Sequence, residues 1–360
     1  MSQSLILSAF TTFRLGGPAR AVIRCTDADE LIGVVRRLDE SGEPVLLIGG
    51  GSNLVVADEG FDGTAVIIAD DAMNFAVDPD ADGRPYVTVG AGVPWDRVVS
   101  TACERGLGGL ECLSGIPGAA GATPVQNVGA YGVEVGTLLR SVQIMDRATG
   151  TVRWVDPADL ELGYRTSRLK HHDAELVVAV SLWLSTDGLS EPIRYRELAG
   201  ALGADEGARL PTAQVREQVL ALRRSKGMVL DPADHDTWSA GSFFTNPIVG
   251  ADRLPDVLAR IAERVGDVPV PQYPVAPGSD RTDAVKLSAG WLIERAGFAK
   301  GYPGPSAPAR LSTKHTLALT NRGAARTADL LALAREVRNG VADAFDVTLE
   351  PEPILVGCTL

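Results

Sequence analysis

The run Gly241-Ser-Phe-Phe-Thr-Asn-Pro247 sets one serine, Ser242, beside a glycine and ahead of two bulky apolar rings. It lacks the G-x-S-x-G pattern of an esterase elbow. The chain's four histidines (His171, His172, His235, His315) show no metal-ligand spacing. A serine hydroxyl in a closed pocket can instead give a proton to a carbanion, as general acid catalysis requires. The same residue could equally be a turn serine bonding its own backbone. Arg165, in Tyr164-Arg-Thr-Ser167, could bind a carboxylate through two parallel N–H donors; a solvated surface arginine is the commoner fate. Glu350 and Glu352 alternate with Pro351 and Pro353, so both carboxylates face one side of extended backbone. One of them could sit against a developing charge, or the segment could be a solvated edge strand blunted by proline. Lys226, Lys286 and Lys300 could hold a diphosphate or lie on the surface.

Two glycine-rich stretches are candidates to position such groups. Gly115-Ile-Pro-Gly-Ala-Ala-Gly-Ala-Thr-Pro-Val-Gln-Asn-Val-Gly-Ala-Tyr-Gly132 is dense in glycine, holds two prolines and carries no charge. Glycine lets backbone approach a ligand closely, while proline holds a loop rigid. Gly49-Gly-Gly-Ser-Asn53 follows the apolar run Val45-Leu-Leu-Ile48. Successive N–H groups in such a turn can form an anion-binding nest, which suits a pyrophosphate; the bland alternative is a tight strand-to-strand turn. Neither stretch is a G-x-G-x-x-G dinucleotide fingerprint or a phosphate loop.

At 360 residues the chain exceeds one ordinary core, so two or three domains are expected. A formal net charge of −12 argues against nucleic acid or an anionic membrane as the main partner. No apolar run approaches a bilayer span, and the start, Met1-Ser-Gln-Ser-Leu-Ile-Leu, lacks the basic segment and long apolar core of a signal peptide. Cys25, Cys103, Cys112 and Cys358 have no paired metal-type spacing, which points to reduced, mostly buried thiols in a cytoplasm.

Periodicity supplies the scaffold. Thr26 begins a helix with Leu31, Val34, Val35 and Leu38 on one face, and Val45–Ile48 is a strand. Strands are expected at 65–68, 86–89, 141–146, 152–155 and 176–184, with a helix at 94–103 that turns Trp95, Val98, Val99 and Cys103 inward. Val215, Val219 and Leu222 mark a helix ending in Arg223-Arg-Ser-Lys226, after which 231–236 reads as a connecting loop. A helical run carries Leu254, Leu258, Ile261 and Val265, and the last long helix carries Leu330, Ala334, Val337, Val341 and Phe345. The tail, 347–356, reads as a strand with two carboxylates in it.

Taken in order, eight runs resemble one family, the UDP-N-acetylenolpyruvoylglucosamine reductases of bacterial peptidoglycan precursor synthesis. They are Thr12–Pro18, Leu47–Leu54, Gly115–Gly118, Pro124–Gly132, Tyr164–Ser167, Ala240–Pro247, Lys286–Ile293 and Leu349–Glu352. The resemblance implies an α+β fold: two FAD-binding subdomains of vanillyl-alcohol-oxidase (PCMH) type plus a third α+β substrate-binding domain. The expected divisions are 1–69, to which 349–360 returns, then 70–227 and 228–348. It implies bound FAD, with Gly49, Gly50, Gly51, Ser52 and Asn53 at the pyrophosphate and Pro117, Gly118, Gln126, Asn127, Gly129 and Tyr131 lining the flavin. NADPH is the implied co-substrate and a small-molecule UDP-sugar the partner, with no nucleic acid or membrane and a monomeric chain. Ser242 matches the proton donor, and Arg165 with Glu352 the pair that steadies the enolate. Tyr195, Lys226, Asn246, Tyr273, Lys300 and His315 match the residues that hold the UDP portion. Two positions depart from the family pattern: Thr11 stands for the usual asparagine before Thr12-Phe13, and Pro353 stands where a branched aliphatic residue is expected, which removes a backbone donor and keeps Glu350 as a minor alternative. A flavin oxidase of the same superfamily and a non-catalytic UDP-sugar sensor are the competing readings.

Overall fold

The computed structural model describes residues 5–275 and 283–360, so the first four residues of the start read above lie outside the described residues. The chain divides into two compact units built from interleaved segments. The first holds Ala19–Gly51 and Phe61–Val229, with Leu5 at its edge; the second holds Ile6–Pro18, Ser52–Gly60 and the described part of Leu230–Leu360.

In the first unit, Ala19–Cys25, Phe61–Ile68 and Val45–Ile48 form a parallel three-stranded sheet with Phe61–Ile68 central. A parallel pair needs a crossover, and helix Ala28–Glu40 supplies it, burying Leu31, Val34 and Val35. Asp27, rather than Thr26, caps that helix by accepting from Glu30 N, while the Glu30 carboxylate accepts from Thr26 N at 2.7 Å. The second sheet is antiparallel, ordered Val152–Val155, Leu139–Asp146, Glu175–Trp183, Arg84–Gly90 and Met73–Asp78. Helices Trp95–Glu104 and Thr212–Ser225 add Trp95, Val98, Val99, Val215 and Val219 to the core that the sheet fills with Val87, Val89, Val180 and Leu182.

The second unit packs helices Leu254–Val265, Ala289–Arg295 and Thr327–Phe345 with short strands. The long helix buries Leu330, Ala334, Val337, Val341 and Phe345, the stripe expected from the sequence. Gln272–Pro274 pairs with Val285–Leu287, which also pairs with Ile248–Val249. The tail is strand only at Ile354–Val356, parallel to Leu54–Val56. Glu350 and Glu352 therefore precede that strand, because the intervening prolines leave the segment too few backbone donors for a regular ladder. Among the described residues no helix is long and apolar enough to cross a membrane, and no group of three His, Cys, Asp or Glu side chains could hold a metal.

Candidate active site

In the first unit the two glycine-rich loops meet. Residues 118–121 are laced to the end of a strand and the start of a helix: Trp95 N donates to Gly118 O at 2.9 Å, Ala120 N to Val93 O at 2.8 Å and Gly121 N to Ala91 O at 2.9 Å. The other loop lies against this one so closely that a Cβ at Gly50 would fall 2.5 Å from Gly118 Cα and 2.7 Å from its carbonyl carbon. Gly118 has φ +124° and Gly51 φ +58°. Position 50 therefore requires glycine for proximity, and 51 and 118 favour it for backbone shape. The strands flanking Gly49–Asn53 belong to different sheets, so this is not a hairpin turn. What results is bare backbone from two distant stretches side by side, a cradle suited to a phosphate-bearing planar cofactor.

The rest of the long loop is braced from within. Asn127 is buried at φ +46°. Its Nδ2 donates to Glu134 Oε2 (3.0 Å) and Gly163 O (3.1 Å), and its Oδ1 accepts from Gly136 N (2.9 Å). This amide shapes the loop, so any cofactor contact of Asn127 falls to its backbone. Pro117, Gln126 and Gly129 are half-buried. Arg165 is half-buried too, at φ +55°, and donates to Gly129 O at 2.7 Å, which is not the surface alternative. Lys170 Nζ holds its carbonyl at 2.9 Å. The ring of Tyr131 meets that of Tyr195 edge-on, centroids 5.4 Å apart, and burial pushes the Tyr131 phenol up to about 12, so it stays neutral. Lys226 pairs with Glu197 at 2.6 Å.

Arg223 is the residue that sequence reasoning passed over. It read as the basic end of a helix, yet it is buried. Burial lowers its guanidinium to about 10, still charged at neutral pH. One nitrogen donates to Met228 O at 2.8 Å, while Nε has no partner among the described residues. The available signal was spacing: positions 215, 219 and 223 share one helical face, and the first two are valines.

In the second unit the backbone ties Phe243, the residue after Ser242, to Glu352. Phe243 N donates to Leu317 O at 2.8 Å, Glu352 N to Phe243 O at 2.8 Å and Thr245 N to Glu350 O at 3.0 Å. Phe243 and Phe244 are 0% and 1% exposed, and their rings pack edge-on, centroids 5.1 Å apart. Two anchored rings thus fix the residue just before them. Gly241, at φ +72°, turns the chain into this position. Ser242 is half-buried, and within its unit its hydroxyl makes no hydrogen bond among the described residues, unlike a turn serine bonded to its own backbone. Glu350 is exposed and Glu352 half-buried. Pro353 does not loosen it, because Glu352 is anchored through its own N–H. Asn246 Oδ1 accepts from Ala289 N at 3.0 Å, at the start of a helix. His315 is half-buried, its N–H 3.3 Å from Ser312 Oγ, and Tyr273 and Lys300 are exposed. Ser52 and Asn53 are half-buried at the edge of this unit.

Comparison with known proteins agrees with both halves. Residues 231–356 match the family model "UDP-N-acetylenolpyruvoylglucosamine reductase, C-terminal domain", and residues 19–156 match "FAD binding domain". The chain is similar to the UDP-N-acetylenolpyruvoylglucosamine reductase of Nocardia farcinica, 61% identical over 99% of this chain and 90% of the relative. That of Saccharopolyspora erythraea is also 61% identical, over 98% and 95%. The crystal structure of the Thermus caldophilus reductase superposes with a TM-score of 0.63 at 25% identity, covering 98% of each chain. The fold is thus α+β, an FAD-binding region followed by a further α+β domain. With a glycine cradle in one unit and a fixed serine and carboxylate in the other, the chain is an FAD-dependent oxidoreductase that belongs to the UDP-N-acetylenolpyruvoylglucosamine reductase family.

Proposed function

We propose that this chain reduces UDP-N-acetylglucosamine enolpyruvate to UDP-N-acetylmuramate with NADPH, in the cytoplasm and as a monomer, for peptidoglycan precursor synthesis. The observation that carries the reading is the Glu352 N to Phe243 O bond of 2.8 Å, which fixes a carboxylate-bearing residue beside the segment that starts with Ser242. Gly49–Asn53, Pro117, Gly118, Gln126, Asn127, Gly129 and Tyr131 would hold FAD, which when bound would supply the terminal vinyl carbon with a hydride that originates from NADPH. Charge then grows on the neighbouring carbon and its carboxylate. Arg165 and a protonated Glu352 steady that enolate, a role for preorganised donors. Ser242 Oγ delivers the proton that completes the saturated ether; with the charge neutralised, an ordinarily weak acid suffices. Tyr195, Lys226, Asn246, Tyr273, Lys300 and His315 hold the UDP portion. In this assignment 1–69 with 349–360 and 70–227 serve the cofactor, and 228–348 serves the substrate.

The test is anaerobic. The yellow protein is bleached with NADPH, then mixed with the enolpyruvyl substrate while the flavin band is followed. Prompt return of the band with the lactyl ether as product is expected. A reducible flavin that the substrate leaves bleached, but that oxygen rapidly reoxidises, would overturn the reading in favour of an oxidase.

A further inference from the structure

The last residue of the glycine loop reaches the carboxylate segment. Asn53 Nδ2 donates to Glu352 O at 3.2 Å, and Asn53 O accepts from Ile354 N at 2.9 Å. Glu352 therefore has its N–H held by Phe243 O and its C=O held by the Asn53 side chain. Pro353 contributes no N–H of its own between the two anchors. A half-buried carboxylate has its direction set largely by the backbone that carries it, and here the peptide groups before and after Glu352 are each held by one hydrogen bond.

We propose that Asn53 is a positioning residue for Glu352, its amide serving proton delivery to the substrate in addition to closing the cofactor loop. This rests on the role given to Glu352 above. Because the amide acts on the second half-reaction, its loss separates the two halves. With FAD supplied to saturation, Asn53→Ala is expected to slow flavin reoxidation by the enolpyruvyl substrate about tenfold more than it slows reduction by NADPH. A factor of ten is about 1.4 kcal/mol, the scale of one net hydrogen bond. In a Glu352→Gln background, Asn53→Ala is expected to slow reoxidation by less than about twofold more, since coupled residues are not additive. If Asn53→Ala does not fold, Asn53→Asp preserves the shape, removes the donor and is read by the same cycle.

Equal slowing of both half-reactions at saturating FAD, or full additivity with Glu352→Gln, would each overturn the proposal. Parent-like reoxidation by Glu352→Gln alone would instead remove the role of Glu352, and this proposal with it. A slow Glu352→Gln with an additive Asn53→Ala would remove only the coupling.

Discussion

Gly50→Ala tests whether the two glycine loops must touch. The added methyl would sit 2.5 Å from Gly118 Cα, 2.7 Å from Gly118 C and 3.0 Å from Ala119 N. Carbon atoms pack best at about 3.5–4.0 Å, so the closest contact is short by about 1 Å. Every atom met is backbone, so no side-chain rotation relieves the clash and the loops must part. Overpacking of this kind costs about 1–3 kcal/mol. If that falls on the cradle, the FAD dissociation constant rises about 5- to 150-fold. Titration of the deflavinated protein with FAD, followed by absorbance or flavin fluorescence, measures it. Gly200→Ala is the control: its methyl meets nothing within 4 Å and lies in a helix, so it should be neutral or stabilising by up to about 1 kcal/mol. A Gly50→Ala protein that binds FAD within twofold of the parent and melts at the same temperature would refute the argument.

Glu111 gives a pH signature. It is fully buried, accepts from Gly109 N and Glu191 N at 2.8 Å each, and burial still holds its carboxyl above the ordinary 4.5 despite those donors. The folded state thus binds this proton more tightly than the unfolded chain, so the group's stabilising effect is full below 4.5 and is lost as pH rises through the higher folded value. Parent stability minus that of Glu111→Gln should decline over that window in chemical denaturation; a flat difference would exclude the linkage. Burial also raises the thiols of Cys25 and Cys103 to about 11 and Cys112 to about 12. Half-buried Cys358 should therefore react first with a thiol reagent and the other three only on unfolding; a fast reaction of all four in the native protein would contradict this.

Local pattern was readable where one face of an element decides its burial. The spacing from Leu330 to Phe345 became the buried stripe of Thr327–Phe345, and Trp95, Val98 and Val99 turned inward as expected. Both glycine stretches stood out by composition. Their contact did not, since nothing near Gly50 in sequence encodes the approach of Gly118. The same holds for the Tyr131–Tyr195 ring pair and the Lys226–Glu197 ion pair, which join residues far apart in the chain. Asn127 shows another limit. Residue type marks a side chain as able to meet a ligand, but only the fold reveals that three protein groups already occupy its amide. Proline spacing suggested extended backbone around Glu352, while the partner that grips it, Phe243, is more than a hundred residues away.

The interleaving of the two units sets an order on biosynthesis. The chain passes from one unit to the other after residues 5, 18, 51, 60 and 229. Residues 6–18 and 52–60 emerge early, yet their partners come late: Phe13 O waits for Asn321, Val56 O for Thr327, and Leu54–Val56 for Ile354–Val356. At about 5–20 residues per second, a gap of about 300 residues lasts about 15–60 s. For that interval an apolar Leu-Val-Val edge has no native neighbour, a hazard for mispairing. Neither unit can be released by one cut, because a chain ending at 229 would carry two orphaned pieces of the other unit. A chain beginning at 230 would lack the strand that its last strand needs.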